Sequence, residues 1–326
     1  MTDDTSTRSV QGSRPIAVSA RGLCKSFGDT EAVVDLSFEA RAGEVTGLLG
    51  PNGAGKTTTI KMLTTLLSID AGTASIAGID VATRPDAVRR VIGLAGQSAA
   101  VDEKLTAREN LQLFGRLYKI PSAERAERID YLIDRFELTD FADRVAETYS
   151  GGQRRRLDVV ASLIASPPVL FLDEPTTGLD PHTRTELWGE IRELAEKGTA
   201  VVLTTQYLEE ADRLSDSIVI IDEGVMKASG TSAELKRDLH RDVLEVHVAS
   251  RDDLPTAEAS VAGAGLTVAS DPEGTRLQVP LTGGASQSLS LLRTLDADGV
   301  EVTDFQLRKP TLDDVFLAMT GSGGDR

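Results

Sequence analysis

A glycine-rich run at residues 50–57 has the residue types needed to hold a phosphate group. Its sequence, GPNGAGKT, is a glycine, four further residues, and then glycine, lysine and a hydroxyl residue. Glycines let the backbone approach an anion closely, and the N–H groups of such a loop carry partial positive charge. Lys56 can neutralise the β- and γ-phosphates, and the Thr57 hydroxyl is suited to Mg²⁺. A glycine-rich turn that binds nothing is the alternative, and the complete pattern disfavours it.

The elements around this run have the order that phosphate binding requires. Val45–Leu49 is a short apolar stretch typical of a buried strand. The residues that follow the run predict a helix over 58–67, since Ile60, Leu63 and Leu67 fall on one face. A strand, a glycine loop and a helix N-terminus therefore follow one another, and the helix dipole adds to the attraction for an anion.

Two carboxylates follow a second apolar strand. The strand covers residues 169–172 and is followed at once by Asp173 and Glu174. Ligands of a parallel sheet lie at the carboxyl ends of its strands, which is where this strand delivers the two acids. Asp173 can hold Mg²⁺, and Glu174 can polarise an attacking water. Two acids that merely open a loop are the alternative, which the presence of the phosphate loop disfavours.

Five other features have weaker signals when each is taken alone. Phe27 ends a strand and could stack on a base, but its position favours ordinary packing. The run YSGGQ at residues 149–153 precedes a helix and could accept an anion or form a turn. The arginines at 154–156 read as a solvated helix face. Asp180 precedes Pro181 as a helix N-cap. Gln206 follows the buried strand Ala200–Thr205.

The alternation of strands and helices predicts an α/β fold with a mostly parallel sheet. Strands near the N-terminus add an antiparallel β portion, and helical spacing between 106 and 147 indicates a helical insertion. Beyond residue 239 the order β-α-β-β-α-β predicts a small α+β C-terminal domain. We therefore expect a flexible tail over 1–15, a nucleotide-binding domain over 16–239 with a helical subdomain at about 98–150, an accessory domain over 243–320 and a tail over 321–326.

Composition narrows the class of protein. The 326 residues are 40% hydrophobic and 26% charged, as in a globular protein, and the net charge is −16. This charge disfavours a nucleic-acid partner, which needs a basic face. A single cysteine, Cys24, excludes an intrachain disulfide. No window reaches the roughly 18 uninterrupted apolar residues of a membrane span, so we expect any membrane role to depend on a partner.

Taken together, the motifs resemble those of an ATP-binding-cassette ATPase. GPNGAGKT, a glutamine after a strand, YSGGQ, VLFLDE, GLDP and TTQYLEEAD occur in the order and spacing of that family, over about residues 16–239. The RRRLD run and the C-terminal TLDDVFLAMTG look most like the ATPase subunits of daunorubicin/doxorubicin-resistance exporters. The resemblance implies ATP hydrolysis that powers export of a drug-like or lipid-like substrate through separate membrane subunits.

The resemblance also assigns roles to individual residues. It implies that Phe27 stacks on adenine, that Gln97 contacts Mg²⁺ and the attacking water, and that residues 150–153 grip the γ-phosphate bound by a second subunit. The implied catalytic residues are Glu174, Gln206 and Lys56, and the implied metal ligands are Thr57, Gln97 and Asp173. The implied nucleotide-binding residues are Phe27, Gly50, Pro51, Asn52, Gly53, Ala54, Gly55, Lys56, Thr57, Thr58, Gln97, Ser150, Gly151, Gly152, Gln153 and Asp180.

The implied partners are an integral membrane permease and a second ATP-binding subunit, with a homodimer expected and no nucleic acid. The implied location is peripheral, at the cytoplasmic face of the cell membrane, and ATP and Mg²⁺ are the implied ligands. One chain has one phosphate loop and one YSGGQ run, so a twofold dimer would complete two sites.

Two residues depart from the commonest family pattern. Tyr149 replaces a leucine before SGGQ, which we expect to alter packing only. Gln206 replaces the histidine that most members place against the γ-phosphate, although glutamine looks typical of this subgroup. The usual hydrolysis switch is therefore in question.

Two other functions are compatible with a nucleotide-binding fold: a nucleotide-dependent switch without transport, and a module that only binds ATP. A ribosome- or DNA-associated switch would usually carry two cassettes or a long coiled-coil insertion, and this chain has neither. The net negative charge of this chain would also be unusual for a protein that binds nucleic acid. A module that binds ATP without hydrolysing it would commonly lose the carboxylate at Glu174. The motor ATPase of an exporter is the function that the sequence favours.

Overall fold

The computed structural model describes residues 14–96, 100–239, 242–271 and 274–320. Most of the expected tails, residues 1–13 and 321–326, lie outside the described residues, and so does Gln97. The chain divides between Ser229 and Gly230 into two compact units. This break precedes the limit of 239 that we expect for the first domain, and the domain limits stay predictions.

An antiparallel sheet of four strands opens the first unit, in the order β2-β1-β4-β5. Its inward side chains alternate along β1, where Val18, Ala20 and Leu23 are buried, as in a strand with one covered face. The tight connection after Phe27 pairs that residue with Thr30. The strands are β1 (Ile16–Phe27), β2 (Thr30–Arg41), β4 (Ala71–Ile76) and β5 (Ile79–Asp80).

A six-stranded sheet forms the centre of the first unit, in the order β10-β9-β3-β8-β7-β6. The pairings β9–β3, β3–β8, β8–β7 and β7–β6 are all parallel. Every residue of β3, β7 and β8 is buried, as the continuous apolar runs of these strands require. The strands are β3 (Val45–Leu49), β6 (Ile92–Ala95), β7 (Val169–Asp173), β8 (Ala200–Thr205), β9 (Ser217–Asp222) and β10 (Val225–Gly230).

Helices complete the first unit: α1 (Lys56–Leu63), α2 (Pro85–Arg89), α3 (Ala107–Leu117), α4 (Ser122–Arg135), α5 (Gly151–Ser162), α6 (Pro181–Glu196) and α7 (Leu208–Leu214). α1 ends four residues before the expected end of its helix at Leu67, and Thr65 beyond it has a left-handed φ of 65°. α3 and α4 form the helical insertion. The expected mostly parallel sheet, antiparallel portion and helical insertion are confirmed.

The central sheet lies between two hydrophobic cores. Along β7, Leu170 and Leu172 belong to the core shared with α3–α6, whereas Val169 and Phe171 belong to the core shared with α1 and the antiparallel sheet. Successive side chains of a strand point to opposite faces, so one apolar strand supports both layers. The carboxyl end of β7 is thereby held rigidly from both sides.

The second unit is α+β, as expected. Its four-stranded antiparallel sheet has the order β12-β13-β11-β14, with helices whose apolar side chains join the sheet in one core. Apart from the flanking α8 and α11, its elements follow the order β-α-β-β-α-β. They are α8 (Ser232–Asp238), β11 (Asp242–Val248), α9 (Leu254–Gly263), β12 (Ala269–Ser270), β13 (Arg276–Leu281), α10 (Gly284–Ala297), β14 (Val302–Arg308) and α11 (Leu312–Thr320). Across the described parts of both units, no helix has the length and apolar character needed to span a membrane.

Candidate functional site

The glycine loop follows β3 at the carboxyl edge of the parallel sheet. The N–H of Gly50 donates to the carbonyl of Thr205 at 3.3 Å, which ties the loop to the end of β8. A Cβ atom at Gly50 would lie 2.1 Å from the carbonyl oxygen of Ile221, and one at Gly55 would lie 2.4 Å from that of Ala32. Gly55 also has a φ of +97°. Only glycine fits at these two positions, because backbone from neighbouring strands occupies the space of a side chain.

Lys56 begins α1 and turns its side chain back across the loop. Its ammonium donates to the carbonyls of Gly50 at 2.8 Å and Pro51 at 2.9 Å, and lies 3.8 Å from a carboxylate oxygen of Glu174. Burial lowers the pKa of Lys56, and the nearby charges of Glu174 and Asp173 oppose that shift. The loop therefore holds a buried, donor-rich cation that faces the carboxylates.

Asp173, at the end of β7, accepts hydrogen bonds from two threonines. The hydroxyl of Thr57 donates to Oδ1 at 3.0 Å, and the hydroxyl of Thr204 donates to the same oxygen at 2.6 Å. Asp173 is only 3% exposed. A carboxylate beside a hydroxyl forms the hard oxygen set that Mg²⁺ prefers, so these residues fit that ion. The described residues contain no second kind of metal site, namely a cluster of three or more His, Cys, Asp or Glu side chains that could hold an ion.

Glu174 has an unusual backbone conformation, with a φ of 52°. Its N–H donates to the carbonyl of Thr204 at 3.2 Å and to the Thr204 hydroxyl at 2.9 Å. Its side chain accepts from the Thr177 hydroxyl at 3.3 Å. A left-handed conformation is costly for a residue with a Cβ atom, so the surrounding contacts must hold it. The carboxylate is thereby held 3.8 Å from the Lys56 ammonium.

Gln206 and Phe27 are both partly exposed to solvent. Thr205 pairs with Leu49 in the parallel ladder, so Gln206 comes directly after the strand, beside the start of the glycine loop. Gln206 is half-buried. Phe27 is 49% exposed at the end of β1, with the Lys25 ammonium 5.7 Å from its ring centroid. An exposed ring in a hairpin can stack on a flat ligand.

The YSGGQ run forms the N-terminus of α5. Ser150 is the N-cap, and a reciprocal pair of hydrogen bonds joins it to Gln153: Gln153 N–H to the hydroxyl at 3.2 Å and Ser150 N–H to Oε1 at 3.0 Å. This capping box leaves the first-turn N–H groups of Gly151 and Gly152 directed outward at a helix N-terminus. A Cβ atom would meet no close neighbour at Gly151 or Gly152, so packing does not require glycine at these positions as it does at Gly50.

Asp180 caps α6 close to that run. It accepts from the N–H groups of His182 at 3.0 Å and Thr183 at 3.1 Å, and from the Thr183 hydroxyl at 2.7 Å. These hydrogen bonds, those of Thr183 first, hold the pKa of Asp180 below its usual value. Ser150–Gln153 and Asp180 line one open cleft of about 520 Å³. The described lining of this cleft includes no residue of the loop 50–57.

Tyr149 does more than change packing. Its ring makes an edge contact with Phe141 at 4.9 Å between centroids, and its hydroxyl donates to the Phe141 carbonyl at 2.6 Å. Burial raises the pKa of Tyr149. A leucine could fill the space but could not make the hydrogen bond.

The expectation of a solvated face at 154–156 is wrong for Arg155 and Arg156, whose side chains are each only 12% exposed. Arg156 pairs with Glu186 on α6, and Arg155 donates to backbone carbonyls at the ends of β6 and β7. Thr204, which contacts both Asp173 and Glu174, was also missed. An Arg–Asp pair three residues apart in RRRLD, and a hydroxyl pair that ends an apolar strand, are the sequence signals that could have found them.

Comparison with known proteins identifies the class of protein to which this chain belongs. Residues 33–177 match a family model described as ABC transporter, and residues 230–320 match one described as ATP-binding protein DrrA1-3-like, C-terminal domain. A solved ATP-binding subunit of an ABC transporter superposes with a TM-score of 0.63 at 31% identity, covering 68% of this chain and 92% of that one. A dimeric ATP-binding cassette with bound ADP and phosphate superposes with a TM-score of 0.61 at 25% identity, covering 66% of this chain and 98% of that one.

Relatives of this chain match it along nearly its whole length. The daunorubicin resistance ATP-binding protein DrrA2 of Streptomyces coeruleorubidus is 48% identical, with 94% of this chain and 95% of the relative covered. The Nod factor export ATP-binding protein I of Ralstonia nicotianae is 39% identical, with 95% of each covered. The chain therefore belongs to the ATP-binding proteins of the ABC transporter family, and it binds and hydrolyses ATP. Its likeness to the daunorubicin-resistance proteins extends through both units.

Proposed function

We propose that this chain powers the export of a drug-like substrate through a separate integral membrane permease, as a homodimer at the cytoplasmic face of the membrane. The observation that supports the motor is a cluster of four residues where two parallel strands end: the Lys56 ammonium lies 3.8 Å from the Glu174 carboxylate, and the Thr57 hydroxyl donates to Asp173 at 3.0 Å. The drug-like cargo rests on the relatives named for daunorubicin and doxorubicin resistance.

The residues of the cluster would divide the work of ATP hydrolysis. Backbone N–H groups of the glycine loop that lie after Pro51 and the ammonium of Lys56 would bind the β- and γ-phosphates, and Phe27 would stack on adenine. When bound, Mg²⁺ would neutralise charge on the phosphates, held by Thr57 and Asp173. Glu174 would accept a hydrogen bond from the attacking water and orient it. Gln206 would donate its amide to the γ-phosphate, and it carries no charge at any pH.

The cleft formed by residues 150–153 and Asp180 would complete the site of a second subunit. Its outward N–H groups are suited to the γ-phosphate, but the loop 50–57 of the same chain is not in its lining. A twofold axis that places each cleft on the partner's glycine loop closes two equal sites, which is the usual symmetry of a dimer. Gln97, outside the described residues, stays a prediction as a contact of Mg²⁺ and of the attacking water.

A lipid-like cargo is the second candidate. The relatives named for Nod factor export are 38–39% identical over 94–95% of the chain. Because the pore belongs to the permease, the residues of this chain do not distinguish the two cargoes.

The test uses cells that express the full chain together with a membrane permease that co-purifies with it. Doxorubicin efflux and MgATP turnover should both disappear with Lys56→Ala, because the phosphates lose their cation, and charge-assisted hydrogen bonds are roughly twice as strong as neutral ones. Arg192→Lys is the control. Arg192 lies away from the cluster and donates to Asp216 at 2.8 Å. ATP turnover without drug efflux would argue for the second cargo, and full turnover in Lys56→Ala would argue against the site.

A further inference from the structure

A buried arginine and aspartate on α5 join three segments at the carboxyl edge of the parallel sheet. Arg155 and Asp158 are three residues apart on the helix, with side chains only 12% and 1% exposed and 3.5 Å between charged atoms. A buried pair of this kind persists only when its remaining hydrogen-bonding groups are also satisfied. The partners of these two side chains therefore show what the pair holds in place.

Every donor of the Arg155 guanidinium has an acceptor. A guanidinium carries five N–H groups. Nε donates to the Pro175 carbonyl at 3.1 Å, Nη2 to the carbonyls of Asp173 at 2.7 Å and Glu174 at 3.1 Å, and Nη1 to Asp158 at 3.5 Å and to the carbonyl of Gly96. Three successive carbonyls, beginning with that of Asp173 at the end of β7, are thus bound by one rigid, planar group, which a lysine with a single nitrogen cannot reproduce.

Asp158 holds the arginine from the other side. One of its oxygens faces Arg155, and the other accepts from the N–H of Ala100 at 2.7 Å. Burial raises the pKa of Asp158, while the Ala100 amide and the charge of Arg155 oppose that shift. The pair therefore links α5, which begins at the YSGGQ run, to the ends of β6 and β7.

These contacts lie on both sides of Glu174. Its peptide planes are fixed by the Arg155 bonds to the carbonyls of residues 173 and 174, while Thr204 holds its N–H. Glu174 has a left-handed φ of 52°, a conformation that needs support from its surroundings. We propose that Arg155, held by Asp158, is a positioning residue that sets the direction of the Glu174 carboxylate. This inference rests on the catalytic role proposed for Glu174.

The first test is Arg155→Lys in the full chain, with MgATP as the probe. The lysine keeps the charge but loses the fork of donors, so Glu174 should be misplaced while the phosphate loop is unchanged. A small misplacement of a catalytic group can cost about a hundredfold in rate, and we expect kcat to fall by about ten- to a hundredfold. The dissociation constant of ATP should stay within about twofold, the limit for independent sites. Arg192→Lys is the control and should change neither quantity.

A double-mutant cycle separates positioning from a general structural role. Once Glu174→Gln has removed the carboxylate, adding Arg155→Lys should lower the residual turnover by less than about twofold. A full repeat of the Arg155→Lys loss in that background, or an unchanged kcat in Arg155→Lys alone, would overturn the inference. Wild-type turnover in Glu174→Gln alone would instead overturn the proposed role of Glu174, and the inference with it.

A second variant covers the possibility that Arg155→Lys does not fold. Asp158→Asn keeps the acceptor for Ala100 but removes the charge that faces Arg155. It should lower kcat in the same direction, by less than Arg155→Lys, again without weakening ATP binding. Loss of ATP affinity in step with kcat would mean that the pair merely stabilises the fold, and would count against positioning.

Discussion

Thr204→Val should slow ATP hydrolysis, because Thr204 connects the two carboxylates of the site. Its hydroxyl donates to Asp173 at 2.6 Å and accepts from the N–H of Glu174 at 2.9 Å, and the residue is fully buried. Valine has nearly the same shape but lacks the hydroxyl. Asp173 would keep the hydrogen bond from Thr57, and Glu174 would keep the one to the Thr204 carbonyl at 3.2 Å.

The size of the effect follows from the lost hydrogen bond to a charged group. Such bonds contribute about 1.5–3 kcal/mol, which corresponds to about 10- to 150-fold in rate if the whole loss falls on the transition state. The apparent requirement for Mg²⁺ should rise as well, since Asp173 is the proposed ligand. The measurement is steady-state MgATP turnover of the full chain against Mg²⁺ concentration, with urea unfolding as the check on stability.

The neighbouring strand supplies a matched control. Thr46 on β3 is also fully buried, but its hydroxyl has no hydrogen-bond partner among the described residues. Thr46→Val should leave turnover unchanged, and Thr204→Ser, which keeps the hydroxyl, should restore most of the rate. Equal turnover in Thr204→Val and Thr46→Val would refute the view that Thr204 holds the carboxylates.

Three further expectations concern Gln206, Glu190 and the domain limit. Gln206→Ala should lower ATP turnover by one to two orders of magnitude, which is about 1.4–2.7 kcal/mol of transition-state stabilisation. Gln206→His should add a pH dependence of the rate near 6.5. An alanine variant as fast as wild type would show that Gln206 has no role in hydrolysis. Burial raises the pKa of Glu190 from 4.5 to about 7, so the free energy of unfolding should fall as pH rises from about 4.5 to 7. Glu190→Gln should therefore raise the free energy of unfolding above pH 7, by at most about 3 kcal/mol. Urea unfolding at pH 5 and 8 tests this against Glu196→Gln, an exposed change on the same helix, and equal pH slopes in Glu190→Gln and wild type would contradict it. A chain ended after Leu239 should still bind ATP, since the second unit carries none of the nucleotide motifs; loss of binding by a chain that remains folded by circular dichroism would move the boundary.

The sequence alone determined the class of fold and most of the candidate site. Phosphate binding depends on local features, namely glycines that permit close approach, a helix N-terminus and a lysine at a set spacing, and these are adjacent along the chain. The apolar runs of β3, β7 and β8 predicted a parallel sheet because strands buried on both faces need no polar alternation. Asp173 and Glu174 were found for the same reason, as the first polar residues after such a run.

Only the tertiary structure revealed which residues hold those groups in place. Arg155 looked like one of three arginines on a solvated helix, yet five acceptors from two strand ends and its own helix surround it. Thr204 is 31 residues from Asp173 along the chain, and parallel pairing of β7 with β8 brings them together. Contacts of this kind depend on strand order and on the packing of α5 against the sheet. These are long-range outcomes of folding: a local pattern such as RRRLD can point to the residues, but it does not specify which strand ends they contact.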